Sequence, residues 1–587
     1  MNLKETQSAS RALPPCSSSS ELNMSVGTPC ILQELLNSDT RHLSAKDFEA
    51  GIAECERIAR ILKEKFNACL KINTLPDEIL ETIFWEIIDR GDPLSVGSMG
   101  VFPSSMVCRR WRDVTFSSAR LWSYIYINFD ADPATSGQLA SRAYSYPVNL
   151  SIHDESKLHD DRRLSSERAS RRDSTRRKLY QLFPHTKVMY WTFATLRSGE
   201  DNLNGFEPSP MPHVEVLDVF AGKVEENSIL SLRLFTVGLP TLHTMVLHCP
   251  GGGGFIRPSE LLQVLRFTSQ LKSLSVEHAL VSRISEEDNL LPAKLPMLRR
   301  LHALERLDRI SSLLRHLDTT GLTDVILCES TCPPGRMATA ETLKALAENV
   351  ARILPPIPNP PRLNLNGEPG CRPETFHVML EPSLSHTRFN FKILSVVGSN
   401  QVPHTMTFQC LMRWDYIRVT PPGHERPPIH AFWGALPHLR KVLSFWINGP
   451  SARFEVDAVG YATDCVAYTS SLRMLAFKMC NVDMIRNSGL LPFAVSLSSV
   501  GEERSQTLDL RHHLSNIRRI RFDSLEVDDD TEVPSSVALI EALRDTLQSC
   551  PTYFNELEEI VFVKCGVSDG QVASLDVDDE VLITTDG

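Results

Sequence analysis

The chain is short of the features that announce a function directly. No apolar run reaches the roughly 18 residues that a membrane helix needs, and the opening MNLKETQSASRALPPCSSSS lacks the apolar centre of a secretory signal. Membrane insertion and secretion are therefore not expected, and a cytoplasmic or nuclear location is. Cysteine is sparse and unpatterned: 14 residues from Cys16 to Cys565 form no CxxC pair, and Cys328 and Cys332 have no neighbouring His or second Cys pair to complete a tetrahedral site. Free thiols are expected rather than disulfides or zinc, and the sequons at Asn23 and Asn149 carry little meaning without a secretory route. With a net charge of −11 there is no global basic field, which argues against nucleic acid as a partner. Catalytic signatures are missing too. Gly251–Gly254 is not followed by Gly-Lys-[Ser/Thr], there is no GxSxG, HExxH or kinase motif set, and His512-His513 and His424-Glu425 are isolated pairs. A non-catalytic chain without cofactor or metal is the expectation.

What is present is enough apolar material for a large core, 42% of residues, with 23% charged. Residues 1–43 are rich in Ser, Thr, Pro and Asn and read as a disordered tail. From Ser44 the texture changes. Ser44 with Asp47 resembles a capping box, and Phe48, Ile52, Cys55, Ala59, Leu62, Phe66 and Cys69 alternate at spacings of four and three, which predicts an amphipathic helix over 44–70. Three heptads are marginal for an independent coiled coil, so packing on the protein's own body and dimerisation both stay open.

The segment from Ile72 to Phe129 is the densest in information. Pro76 suits a helix start and Asp77 and Glu78 suit the positive end of its dipole. The following Ile79, Leu80, Ile83, Phe84, Ile87 and Ile88 form two adjacent stripes, wider than one side of a small core requires. Asp89–Pro103 reads as a loop, a second helix carries Met106, Val107, Trp111 and Val114, and Ser118–Trp122 leads into a strand with period-two alternation through Tyr124–Phe129. Short helices on about sixty residues cannot bury this much apolar surface among themselves, so the surplus is expected to face a partner.

Leu75-Pro76-x-Glu78-Ile79-Leu80, Ile83-Phe84, Val107-Cys108-Arg109-x-Trp111 and Leu121-Trp122 together resemble an F-box. The resemblance implies a three-helix motif that docks on the Skp adaptor of a cullin-based ubiquitin ligase. It also implies that Leu75, Pro76, Ile79, Leu80, Ile83, Phe84, Val107, Cys108, Trp111, Leu121 and Trp122 contribute to Skp binding. The Gly91–Pro103 insertion is longer than the usual connection and resembles F-box families of mushroom-forming fungi. An F-box-like domain is thus expected over 71–130.

Beyond a connecting region at 131–210, with a basic loop at Arg162–Lys178, one apolar pattern recurs. Positions one, four and six are filled by Val214/Leu217/Val219, Leu242/Met245/Leu247, Leu271/Leu274/Val276, Leu298/Leu301/Ala303 and Leu322/Val325/Leu327. The intervals of 28, 29, 27 and 24 residues match a leucine-rich repeat period of about 20–29. Further copies occur at Phe391/Leu394/Val396, Leu472/Leu475/Phe477, Ile517/Ile520/Phe522 and Leu557/Ile560/Phe562, with a poorer one around Leu439 and Val442. The expected fold class is therefore α/β: an N-terminal helical F-box followed by a curved leucine-rich-repeat-like solenoid over 211–566. Leu354–Pro373 reads as a proline-rich linker and 567–587 as an acidic disordered tail. The functional expectation is a substrate-recognition adaptor that binds Skp and, through it, a cullin, and recruits an unidentified protein substrate. The alternative is a solenoid interaction scaffold that forms no ligase.

Overall fold

The computed structural model describes residues 44–89, 101–128, 141–143, 146–154, 165–196, 208–225, 228–236, 238–281, 290–319, 321–330, 338–354, 375–382, 388–397, 404–413, 427–437, 439, 444–448, 472, 474–478, 480, 485, 516–524, 535–549, 554–575 and 581–586. The expected tail at 1–43, the loop over 91–100 and the proline-rich run at 355–373 lie outside these residues. The chain divides into two compact units, residues 1–91 with 100–118, and residues 92–99 with 119–587. The division falls inside the 71–130 domain expected from sequence.

The first unit is helical. Helix α1 (Ala45–Cys69) starts where the capping box predicts: the Asp47 carboxylate accepts the Ser44 N–H at 2.8 Å and the Ser44 hydroxyl at 2.7 Å. Those two bonds hold the Asp47 carboxyl below its usual range. A 3₁₀ turn (Lys71–Thr74) leads to α2 (Asp77–Asp89), whose first N–H donors, Ile79 and Leu80, bond to the Pro76 carbonyl. Helices α3 (Val101–Val107) and α4 (Arg109–Ser117) follow. Val101–Pro103 is helical, which corrects the loop expected up to Pro103; a proline is tolerated in a first helical turn because that turn's N–H groups have no intrahelical acceptor. The break between α3 and α4 falls at Cys108, extended in backbone, whose sulfur accepts the Trp111 N–H.

The second unit is built on a sheet. Among the described residues, 16 strands form one sheet in the order β1-β2-β3-β4-β5-β6-β8-β10-β13-β12-β11-β14-β15-β16-β17-β18. The strands are β1 (Tyr124–Asn128), β2 (Val148–Asp154), β3 (Thr186–Leu196), β4 (Val216–Val224), β5 (Thr244–His248), β6 (Ser273–Glu277), β7 (Ala293–Lys294), β8 (Arg300–Glu305), β9 (Leu317–Asp318), β10 (Asp324–Glu329), β11 (Thr375–Pro382), β12 (Arg388–Val397), β13 (His404–Arg413), β14 (Ser444–Asn448), β15 (Met474–Lys478), β16 (Arg519–Asp523), β17 (Glu559–Val563) and β18 (Leu582–Asp586). The short β7 and β9 pair separately.

The recurring apolar pattern is the register of this sheet. Leu217, Met245, Leu274, Leu301 and Val325 stand opposite one another on successive parallel strands, and so do Val219, Leu247, Val276, Ala303 and Leu327. All ten are buried. In four of the five units position one sits in a turn just before its strand: the N–H groups of Val214, Leu242, Leu271 and Leu298 bond to carbonyls three residues back. The carbonyls of Lys187, Glu215, His243, Lys272 and Arg299 then form a rail, each accepting from the next unit. A single unit could not bury its apolar face; stacking in register does so, at about 1.5–3 kcal/mol per buried Leu or Val. The connecting segments add apolar stripes, such as Leu261/Leu262/Leu265, Ile310/Leu313/Leu314 and Leu343/Leu346/Val350. They are bonded in series: the Glu260 carboxylate accepts the Leu232 N–H at 2.8 Å, and Asn349 donates to the Ser311 carbonyl at 3.1 Å.

Four sequence expectations need correction here. The sheet begins at β1, so β2 and β3 of the supposed connecting region are full members of it. The basic loop is helical from Ser165 to Leu182, because Leu179 and Leu182 give it a buried side and Arg172 reaches the buried Asp154 at 3.0 Å. The copy at Phe391/Leu394/Val396 lies on β12, which is antiparallel to both β11 and β13. Residues 383–387 and 398–403 are too few for the crossover of about a dozen residues that parallel pairing requires. Finally, the acidic run at 567–587 is not an unstructured tail: Asp569–Val572 is helical and β18 pairs in parallel with β17.

The Gly251–Gly254 stretch is a close-packed turn. Gly254 has φ +66°, and a Cβ there would lie 2.2 Å from the Leu280 carbonyl oxygen. The following Phe255 and Ile256 donate to the Ala279 carbonyl. The glycine serves backbone approach rather than a phosphate.

Candidate functional site

The helical unit separates the two stripes of α2. Leu80 and Phe84 are fully buried, with the Phe84 ring 4.8 Å from that of Trp111 on α4. The neighbouring stripe faces outward: Ile79 is 47% exposed, Ile83 is half-buried and Ile87 is 54% exposed. On α3, Met106 is 74% and Val107 50% exposed, and Phe116 on α4 is also exposed. These short helices thus leave large apolar side chains exposed beside their own core, a pattern that marks an interaction surface.

Polar bonds hold the entry to α2 in place. Arg110 donates to the carbonyls of Asn73 and Leu75 and pairs with Asp77 at 2.7 Å. The Trp111 indole N–H donates to the Asn73 side chain, whose amide donates to the Asn67 carbonyl at 2.6 Å. Ser118 donates to Glu81 at 2.6 Å. Arg110 and Trp111 therefore fix where the Leu-Pro turn sits, and with it the first turn of α2 that carries Ile79.

Of the residues expected to bind a partner, Pro76, Ile79 and Val107 are exposed, and Leu75, Ile83, Cys108 and Trp111 are half-buried. Leu80, Phe84, Leu121 and Trp122 are fully buried and belong to cores, which corrects the expectation that they offer contact surface. Leu121 and Trp122 fall in the sheet unit, where the Arg142 guanidinium lies 4.6 Å from the Trp122 ring. Sequence reasoning did not place Met106, Ile87 or Phe116 in the site. The signal was there in Ile79/Ile83/Ile87 at spacing four, parallel to Leu80/Phe84.

In the sheet unit, residues between the core positions line the opposite face. Tyr190, Asp218, Ser275 and His302 share one register row, and Phe220, His248 and Glu277 the next. Glu277 lies 3.6 Å from His248 and 3.3 Å from His302, and Ser275 bridges to the His302 ring at 3.2 Å. Phe220 meets His248 edge-on at 5.3 Å. Partial burial raises the Asp218 carboxyl, against the pull of His248, and burial beside Asp218 raises the Tyr190 phenol. A separate cleft of about 410 Å³ is lined by Tyr146, Pro147, His185, Lys187, His213, Glu215 and Thr241, with Lys187 and Glu215 paired at 3.3 Å. Among the described residues no group of three or more His, Cys, Asp or Glu is placed to hold a metal ion, every cysteine is a free thiol, and no helix is long and apolar enough to cross a membrane.

The first unit is thus helical with an outward apolar patch, and it leads in sequence into a sheet of mostly parallel strands. Residues 72–128 match the F-box-like family model, so the chain carries an F-box-like domain. Domains of this kind are in general non-catalytic and bind the Skp adaptor of ubiquitin ligases. No curated protein matches the chain.

Proposed function

We propose that the protein is the substrate-recognition adaptor of a Skp/cullin/F-box ubiquitin ligase. The observation that carries this reading is the division of α2 into a buried Leu80/Phe84 stripe and an exposed Ile79/Ile87 stripe beside Met106 and Val107, within the F-box-like match. The exposed set is the Skp-docking surface, with Leu75, Pro76, Ile83, Cys108 and Trp111 at its rim; Leu80, Phe84, Leu121 and Trp122 act only through the fold. The sheet unit is a leucine-rich-repeat-like solenoid, a reading supported by five parallel strands in register at intervals within one repeat period. Its open face, with Tyr190, Asp218, Phe220, His248, Glu277 and His302, holds the target protein. Ubiquitin transfer then proceeds by proximity on other subunits, the adaptor supplying orientation and effective concentration.

The competing scaffold reading requires both α2 stripes to be buried in the monomer, and the exposure of Ile79 and Ile87 counts against it. Co-expression with a Skp subunit and size-exclusion chromatography test the proposal. Wild type co-elutes with Skp, and Met106→Asp/Val107→Asp elutes alone with unchanged circular dichroism. A wild-type chain that ignores Skp overturns it.

A further inference from the structure

We propose that α1 pairs antiparallel with α1 of a second copy of this chain, making the protein a homodimer. The inference uses residues of α1 alone and does not depend on the adaptor reading. Along this helix Phe48 is 44% exposed, Ile52 60%, Leu62 61% and Phe66 67%, and Cys55 and Ala59 between them are exposed as well. The stripe that α1 does cover is a different one: Gly51 is buried and Ile58 half-buried. The half-buried Glu54 beside that stripe pairs with the exposed Arg57 within the helix at 2.6 Å. The seam is thus a continuous row at alternating spacings of four and three over the length of α1, the geometry of knobs packing into holes.

The row is complementary to itself in one direction. Laid antiparallel about a centre between Cys55 and Ala59, Phe48 meets Phe66, Ile52 meets Leu62, Cys55 meets Ala59, and Ala45 meets Cys69. Large residues flank a small centre. The flanking positions then set Glu49 against Lys63, once on each side of the axis, with Glu56 facing its own copy at the centre as the one like-charge pair. A parallel pairing would instead set Gly51 against Glu56 and Ile58 against Lys63, with no ion pair. The four large seam residues expose about 500 Å² of apolar surface per copy, so pairing removes about 1,000 Å², the lower bound of a specific interface.

Sedimentation equilibrium of the full chain, from about 1 to 100 µM, tests this. Wild type is expected to approach dimer mass, and Ile52→Asp/Phe66→Asp to stay monomeric with an unchanged thermal transition of the sheet unit. Glu49→Lys weakens the dimer roughly five- to tenfold at low salt, and Glu49→Lys/Lys63→Glu restores it. These two positions are fourteen residues apart on one helix, beyond each other's reach within a copy, so the rescue reports pairing between copies. A wild type that remains monomeric, a dimer that survives Ile52→Asp/Phe66→Asp, or a double charge swap that fails to recover each overturns the proposal.

Discussion

Neighbouring residues of α2 should fail in opposite ways when changed. Ile79 is 47% exposed and sits in the first turn, where an acidic side chain is favoured by the helix dipole, so Ile79→Asp leaves the helical unit folded. If the exposed half of Ile79 is covered by Skp, it contributes about 2 kcal/mol of apolar burial, and its removal weakens binding about thirtyfold before any cost of desolvating the carboxylate. Leu80 is fully buried, and Leu80→Ala removes about 2–5 kcal/mol from the fold while leaving every side chain of the exposed stripe in place. Two assays separate these effects: titration calorimetry against purified Skp, and amide hydrogen exchange along α2. Ile79→Asp should lower affinity with exchange protection intact, while Leu80→Ala should lower protection first and affinity only through it. Normal affinity in Ile79→Asp, or full protection with abolished binding in Leu80→Ala, would refute the assignment of inner and outer stripes.

Other consequences follow from the same geometry. Arg110→Met removes the donors to Asn73 and Leu75 and the Asp77 pair, and is expected to cost about 1–3 kcal/mol and to loosen Skp binding; Lys at this position should not rescue, since one ammonium cannot reproduce the fork. Urea unfolding with Skp titration checks both. Phe522 stacks between Phe477 at 5.5 Å and Phe562 at 5.4 Å, so Phe522→Ala should cost about 3–5 kcal/mol and raise exchange in β15, β16 and β17 together. Glu305 accepts the Leu280 N–H at 2.7 Å and pairs with Arg309 at 3.1 Å, yet burial outweighs both and pushes its carboxyl up. The folded state then binds the extra proton, so the stability of wild type relative to Glu305→Gln is greatest in acid and declines as pH rises from the ordinary glutamate range through the raised value. Denaturation of both chains between pH 4 and 8 reads this slope, and a difference that grows with pH contradicts it.

The repeat positions were legible in the sequence because a buried parallel strand must place its apolar residues in step with its neighbours, and the one-four-six pattern is that step written out. Direction was not legible. Phe391, Leu394 and Val396 have the same spacing on β12, but alternation is common to parallel and antiparallel strands, and only the short connections on either side betray the reversal. Composition misled at the carboxyl end for a related reason. Strand β18 joins the sheet through backbone bonds to β17, and Leu582–Asp586 needs no large apolar content for that. The same holds for Arg162–Lys178, where a count of charges hides Leu179 and Leu182 just beyond the run.

The candidate site was legible in kind and not in orientation. Two apolar stripes on α2 are visible as soon as Ile79 to Ile88 are laid on a helix, and their excess over a small core already implied a partner. Which stripe faces inward depends on Trp111 meeting Phe84, on the indole N–H reaching Asn73, and on Arg110 spanning from α4 to the turn before Pro76. None of these interactions is local in sequence, and each joins residues on opposite sides of the Gly91–Pro103 insertion. The same dependence explains why Leu80 and Trp122, conspicuous in the sequence pattern, serve the cores, while Met106, unremarkable in a row of small residues, stands furthest into water. A partner that reads this surface is therefore sensitive to a change at Arg110, which lies outside the docking set, and the Arg110→Met chain should show a fall in affinity that tracks its fall in exchange protection in α2 rather than one that exceeds it.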